Sequence, residues 1–166
     1  RQSVWLVFFK KHSEKKSISW SDAVDEALCF GWIDSTKKTI NNDSYKQYFS
    51  KRKAKSNWSK VNKEKVQNLI DRGLMKEEGY KSIEVAKENG SWTLLDEVEA
   101  LIIPNDLQEA LANYQNALEY FDNLSKSNKK ILLYWVISAK RSETRRKRID
   151  EISKHASLGQ KPKQFR

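Results

Sequence analysis

Residues 125–152 read SKSNKKILLYWVISAKRSETRRKRIDEI, and the two halves of this stretch differ in kind. In the first half Ile131, Leu132, Trp135, Val136 and Ala139 recur at steps of three and four. That spacing makes one face of an α-helix, which needs a core to pack against. Ser127 stands where the N-cap of that helix belongs. In the second half Lys140, Arg141, Arg145, Arg146, Lys147 and Arg148 form the most basic run of the chain, with Glu143 interrupting. Ile149, Ile152 and Ala156 continue a thin apolar stripe, so this half is predicted to be helical as well. Glu143 and Lys147 are four apart in the order that supports a helix. Arg141, Arg145 and Arg148 would then share one face. Such a face is either a solvated surface or a platform on which guanidinium forks meet phosphate or carboxylate.

Working outward, 166 residues are enough for one domain with a real core, with or without a small appendage. The chain carries 32 basic and 22 acidic side chains, a net charge of +10. The charge is blocked. Residues 1–36 are neutral, 37–65 carry +8, 66–124 carry −8, and 125–166 carry +10. Either the acidic block docks on a basic one within the fold, or the two basic blocks make a field that attracts anionic partners. Cys29 is the single cysteine, which excludes an internal disulfide and a cysteine-based zinc site. His12 and His155 are far apart in sequence, so neither a metal nor a cofactor is expected. No run approaches the roughly 20 apolar residues of a membrane span. The start lacks the pattern of a signal peptide, and a cytoplasmic protein is expected. The chain opens at Arg1 and enters a strand-like run almost at once, so a preceding segment is also expected.

In order, residues 4–10, VWLVFFK, read as a buried strand. Ser19 with Asp22 resembles a capping box, and Ile18 with Ala23 a hydrophobic staple. Val24, Ala27 and Leu28 face inward on the helix that follows, which ends near Gly31. Residues 35–40 and 44–50 flank the turn chemistry of Asn41, Asn42 and Asp43 and read as a hairpin. Tyr45, Gln47 and Phe49 form its packed face; Lys46, Tyr48 and Ser50 form its wet one. A basic connector, residues 51–58, precedes helices with Val66, Leu69 and Ile70, then Tyr80, Ile83 and Ala86, inward. Asn62 can cap the first of these, and Gly73 closes it. Residues 92–103 read as a packed connector with one turn of helix, and helices follow over 105–113 and 114–123. Leu107, Leu111, Leu118 and Phe121 point inward on them. The fold class is α+β, mostly helical, with a small antiparallel sheet of about three strands in the N-terminal part. The expected organisation is an N-terminal α+β part over 1–104, a helical part over 105–158 packed on it, and a tail over 159–166.

Five stretches, in order along nearly the whole chain, resemble the YdeI/OmpD-associated family of bacteriocin-protection proteins. They are SWSDAVDEALCFGWID, covering residues 20–34 with the preceding serine; YFSKRKAKSNWSKVN, 48–62; IEVAKENGSW, 83–92; IPNDLQEA, 103–110; and SAKRSETRRKRI, 138–149. Members often have proline in the FSKRK stretch. Lys51 stands there in this chain, which implies a less rigid connector. The resemblance implies a bacterial cytosolic protein tied to tolerance of antimicrobial peptides or envelope stress. It supplies no catalytic residues.

Three kinds of function are open. An enzyme would need Asp34, with Asp22 or Asp25, as an acid/base pair in an apolar pocket. The alternative is that Asp22 caps a helix and Asp34 pairs with a basic neighbour. Cys29, between Leu28 and Phe30, reads as a small core residue, and His12 and His155 as solvent-facing. No catalytic constellation stands out. A nucleic-acid binder would use the basic blocks 51–55 and 140–148, with sheet aromatics to stack on, although most of the aromatics are expected in the core. A binding module for an anionic small molecule or a protein partner would use Arg52, Lys53, Trp58, Lys140, Arg141, Arg145 and Arg148. In that reading the two basic blocks converge on a cleft against Trp32 and Trp58.

Overall fold

A computed structural model describes residues 1–166. It contains eight α-helices and one three-stranded antiparallel sheet, an α+β fold. The chain divides into two compact units, Arg1–Leu94 and Leu95–Arg166, and each closes its own core. No helix is long and apolar enough to cross a membrane.

In the first unit β1 (Ser3–Phe9) leads to α1 (Trp20–Cys29), then β2 (Trp32–Thr39) and β3 (Ser44–Lys51). The sheet order is β1-β3-β2, so the hairpin's second strand lies in the middle. Val4 stands opposite Phe49 and Phe8 opposite Tyr45, while Asp34 stands opposite Phe49 from the other edge. One extra residue on β2 between Asp34 and Lys37 makes a bulge. Gln47, buried at 4% exposure, holds it: its amide donates to the Asp34 carboxylate at 3.0 Å and to the Ser35 carbonyl at 2.9 Å. α2 (Lys60–Asp71) and α3 (Glu77–Glu88) complete the unit. Its core holds Phe8, Val24, Leu28, Phe49, Trp58, Val66, Leu69 and Ile83, with Cys29 among them as a small buried residue.

Ser19 caps α1, accepting from the Asp22 amide at 3.1 Å and donating to its carboxylate at 2.7 Å, the expected capping box. The staple does not form, because Ile18 is exposed. Ser59, not Asn62, caps α2, and its hydroxyl accepts the Asn62 N–H. Tyr80, expected inward, is exposed: the first turn of α3 presents Gly79 to the core instead. A Cβ on Gly79 would lie 2.4 Å from the Cys29 carbonyl oxygen, and one on Gly31 would lie 2.7 Å from that of Glu78. Two glycines thus let α3 press against the turn between α1 and β2. At Gly31 the φ of +69° adds a second reason for the residue type.

The second unit begins ten residues before the expected seam at Pro104. The reason is Val98, on the short α4 (Asp96–Glu99), which is buried in the C-terminal core. α5 (Asn105–Ala112), α6 (Ala117–Asp122), α7 (Lys126–Ile137) and α8 (Ser142–Ser157) follow. Leu107, Leu111, Ala117, Phe121, Leu132, Leu133, Val136 and Ile152 make the core. On α7 the buried stripe is Leu132, Leu133 and Val136; Ile131 is 46% exposed. Ser125, two residues earlier than Ser127, is the N-cap, accepting the Asn128 N–H. The expected tail is partly structured, since Lys163–Phe165 form a 3₁₀ turn and Phe165 packs edge-on against Trp135 at 5.2 Å.

Candidate functional site

The surplus positive charge lies mostly in the first unit, where 19 basic side chains face 12 acidic ones, against 13 and 10 in the second. Its focus is Arg52, the residue after β3. The Arg52 amide donates to the Gly31 carbonyl at 2.9 Å, which extends the β2–β3 pairing by one step. The side chain then lies over Trp58, with the guanidinium carbon 3.7 Å from the ring centroid. Nη1 donates to the Asn57 carbonyl at 2.9 Å. Nε and Nη2 are buried and have no hydrogen-bond partner. Burial lowers the pKa of this guanidinium to about 10, against which the Asp34 carboxylate acts to raise it.

Arg52 lines a cleft of about 420 Å³ with Gly31, Trp32, Lys53, Lys81 and Ser82. The Ser82 hydroxyl is likewise buried without a partner, as is the Trp58 indole N–H behind the cleft. Lys51 also lines the cleft, so four cations face one carboxylate, that of Glu78. None of Lys51, Lys53 and Lys81 is held in an ion pair. Native proteins rarely leave buried donors unmatched, and each costs about 1–3 kcal/mol, more for a charged group. The Arg52 and Ser82 groups both lie on one basic cleft, and the chemistry they can serve is donation to a hydrogen-bond acceptor that carries negative charge.

The connector that carries Arg52 is pinned. Lys51 donates its amide to Gln2 at 3.1 Å, a bond proline could not make. The Ala54 carbonyl accepts from the Asn89 side-chain amide at 2.7 Å and the Ser91 hydroxyl at 3.3 Å. Backbone and side-chain bonds thus supply the rigidity that the sequence alone did not promise. Trp58 does not meet solvent: it is 1% exposed and packs against Trp92 at 4.9 Å. Its role is to hold the guanidinium plane.

The basic run of the second unit is largely engaged internally. Arg145 makes a bidentate pair with Asp106, at 2.6 and 2.8 Å. That pair holds the Asp106 carboxyl below, and the Arg145 guanidinium above, their ordinary ranges, chiefly through the hydrogen bonds between them. Arg148 donates to the Trp135 carbonyl and to the Ser138 hydroxyl. Lys147 pairs with Glu143 at 2.8 Å. Arg141 is the N-cap residue of α8 and lies outside the helix face it was expected to share; Lys140, like Arg141, is exposed. A hollow of about 690 Å³ lies beside Arg145 and Arg146, but Asp106 and Asp150 also line it, so its charge is balanced.

The carboxylates considered for catalysis are engaged as well. Asp22 closes the capping box, and Asp25 pairs with Lys65 at 2.6 Å. Asp34 accepts from the Trp20 indole and the Gln47 amide, both at 3.0 Å, and not from a basic side chain as expected. No group of three or more His, Cys, Asp or Glu side chains is placed to hold a metal ion. His12 is solvent-facing, 3.3 Å from Asp43; His155 is half-buried, with Nδ1 2.8 Å from the Glu151 carbonyl.

Of the seven expected site residues, Arg52 and Lys53 line the cleft of the first unit, and Trp58 supports it from behind. The four on 140–148 belong to the second unit. Ser82, Lys81 and Gly31 were not foreseen. Gly31 carried a signal, as a glycine between a helix and a strand; Ser82 carried none, since nothing in sequence ties α3 to Arg52.

By fold, then, this is a two-unit α+β protein with a basic cleft in its first unit. Residues 100–159, within the second unit, match the family described as Bacteriocin-protection, YdeI or OmpD-Associated, the one the sequence resembles. Residues 1–82 match a Domain of unknown function (DUF8412). No curated protein and no solved structure matches the chain.

Proposed function

We propose that this protein is a binding module for a small anionic ligand, held in the cleft at Arg52. The observation that carries the reading is the pair of unmatched buried groups, the Arg52 guanidinium and the Ser82 hydroxyl, on one cleft ringed by Lys51, Lys53 and Lys81. A phosphate or carboxylate would accept from the planar fork of Arg52 and from Ser82, with the lysines supplying longer-range attraction. A partner protein that presents a carboxylate or phosphate group would use the same residues. A cytoplasmic setting suits the reading, because such anions are plentiful there.

The test is calorimetric titration with inorganic phosphate, sulfate and di- and tricarboxylates, repeated on Arg52→Met and Ser82→Ala. Saturable binding that Arg52→Met abolishes and Ser82→Ala weakens is expected. Equal binding by Arg145→Met serves as the control in the second unit. Binding that survives Arg52→Met would sink the assignment.

A further inference from the structure

We infer that the outer face of the sheet is a second site, and that it binds single-stranded nucleic acid. The inner face of the sheet is closed by the core, through Phe8 and Phe49. Residues of the opposite register point outward. Trp5 stands opposite Tyr48, Val7 opposite Lys46, and Lys38 opposite Lys46 from the other edge. Trp5 is 39% exposed and Val7 49% exposed. The rings of Trp5 and Tyr48 lie 5.0 Å apart at 56°. The ammonium of Lys46 is 4.9 Å and that of Lys38 5.5 Å from the Trp5 centroid.

Two features of this face need an occupant. A tryptophan left open on a sheet forfeits apolar burial that most aromatics in this chain obtain. Lys38 and Lys46 stand directly opposite each other, and like charges so placed repel. No acidic residue stands at an outward position of the three strands to relieve them. The occupant must therefore bring both a flat π surface and negative charge in alternation. A single strand does so: its bases stack on Trp5 and Tyr48 while its phosphates sit between Lys38 and Lys46. A hollow of about 620 Å³ continues the face beyond Tyr48, lined by Ser35, Ser50, Lys51 and Lys53 and by no carboxylate. Lys51, Arg52 and Lys53 line both this hollow and the anion cleft, whereas Ser82 lines the cleft and not the hollow, so Ser82→Ala separates the two sites.

The experiment is fluorescence anisotropy of the full chain with labelled ten-nucleotide DNA and RNA strands and a twelve-base-pair duplex, from 50 to 200 mM salt. Single strands are expected to bind more tightly than the duplex, with log K falling against log salt by about 0.7 for each phosphate contact. Lys38→Gln and Lys46→Gln should each remove about one contact from that slope. Trp5→Ala should weaken binding about 5- to 100-fold, and Trp5→Phe should restore most of it. Ser82→Ala should leave the affinity in place even where it weakens binding of small anions. The inference falls if no single strand binds at 50 mM salt, or if the duplex binds as well. It falls equally if the lysine variants and Trp5→Ala bind like the native chain, or if an acidic peptide competes on equal terms. Lys38 is exposed and Lys46 half-buried, so Lys38→Gln in particular keeps the test valid should Trp5→Ala disturb the strand.

Discussion

Arg52→Met separates a ligand-binding arginine from a structural one. Burial pulls the guanidinium well below its ordinary range, to about 10. At about 1.4 kcal/mol per pH unit that is a penalty of about 3 kcal/mol. A base whose pKa is lowered by folding carries the full penalty below its folded value and is relieved only as pH rises towards its unfolded one. At pH 7 the whole penalty is therefore present. Against it stand the Asn57 hydrogen bond, about 1.5–3 kcal/mol for a charged donor, and the Trp58 stack, about 0.5–2 kcal/mol. The terms nearly cancel. Met keeps much of the contact with Trp58, so Arg52→Met is expected to change stability by less than about 1 kcal/mol, a shift of Tm under roughly 5–8 °C. Urea unfolding at pH 7 measures the first quantity and calorimetric scanning the second. Native protein at one hundred times the Kd of its anion should gain about 2.7 kcal/mol, and the variant should gain nothing. If Arg52 were a strut in a paired network, the same change would cost about 3–5 kcal/mol. A loss of that size, or equal stabilisation of both proteins by the anion, refutes the reasoning.

Three further expectations follow from the packing. Arg145→Met and Asp106→Asn should each lower stability at pH 7 by about 0.5–1 kcal/mol, since the pair is partly exposed. The Asp106 carboxyl is held low, so its contribution is present above its ordinary value, 3.8, and lost as pH falls through the folded one; acid titration of Tm should show the two variants converging with the native protein. Gly79→Ala should cost about 1–3 kcal/mol or more, because its Cβ would meet the Cys29 carbonyl oxygen at 2.4 Å and Met75 at 2.6 Å; a melting curve no lower than native would contradict the close approach. The Cys29 thiol is pushed above 9.0, first by burial and then by Glu26 and Asp25, so labelling by a thiol reagent at pH 8 should be slow until urea unfolds the protein. Raised pKa on an acid also means that its contribution to stability holds below pH 9 and fades above it.

Much of the fold was legible because periodicity and punctuation agree in this chain. The hairpin of β2 and β3 shows its packed and wet faces in plain alternation, and Ser19 with Asp22 marks the start of α1. The errors arose where a local pattern has two solutions. On α7 the apolar run is wide enough to rotate, and packing chose Leu133 over Ile131. At residues 95–104, proline suggested a boundary, but Val98 had already entered the second core. Arg52 was visible as a basic residue beside aromatics. Its significance was not, because it depends on which of its nitrogens find partners, and that is decided by Asn57 on one side and α3 on the other. The run at 140–148 reads as free charge in sequence for the same reason: charge is countable there, whereas the pairing of Arg145 with Asp106 is not.

The two cores share no residue, and the two family matches fall on either side of the same seam. Mutations that repack one half leave the other half's interior untouched. A substitution in either interior is therefore best read against the core of its own half.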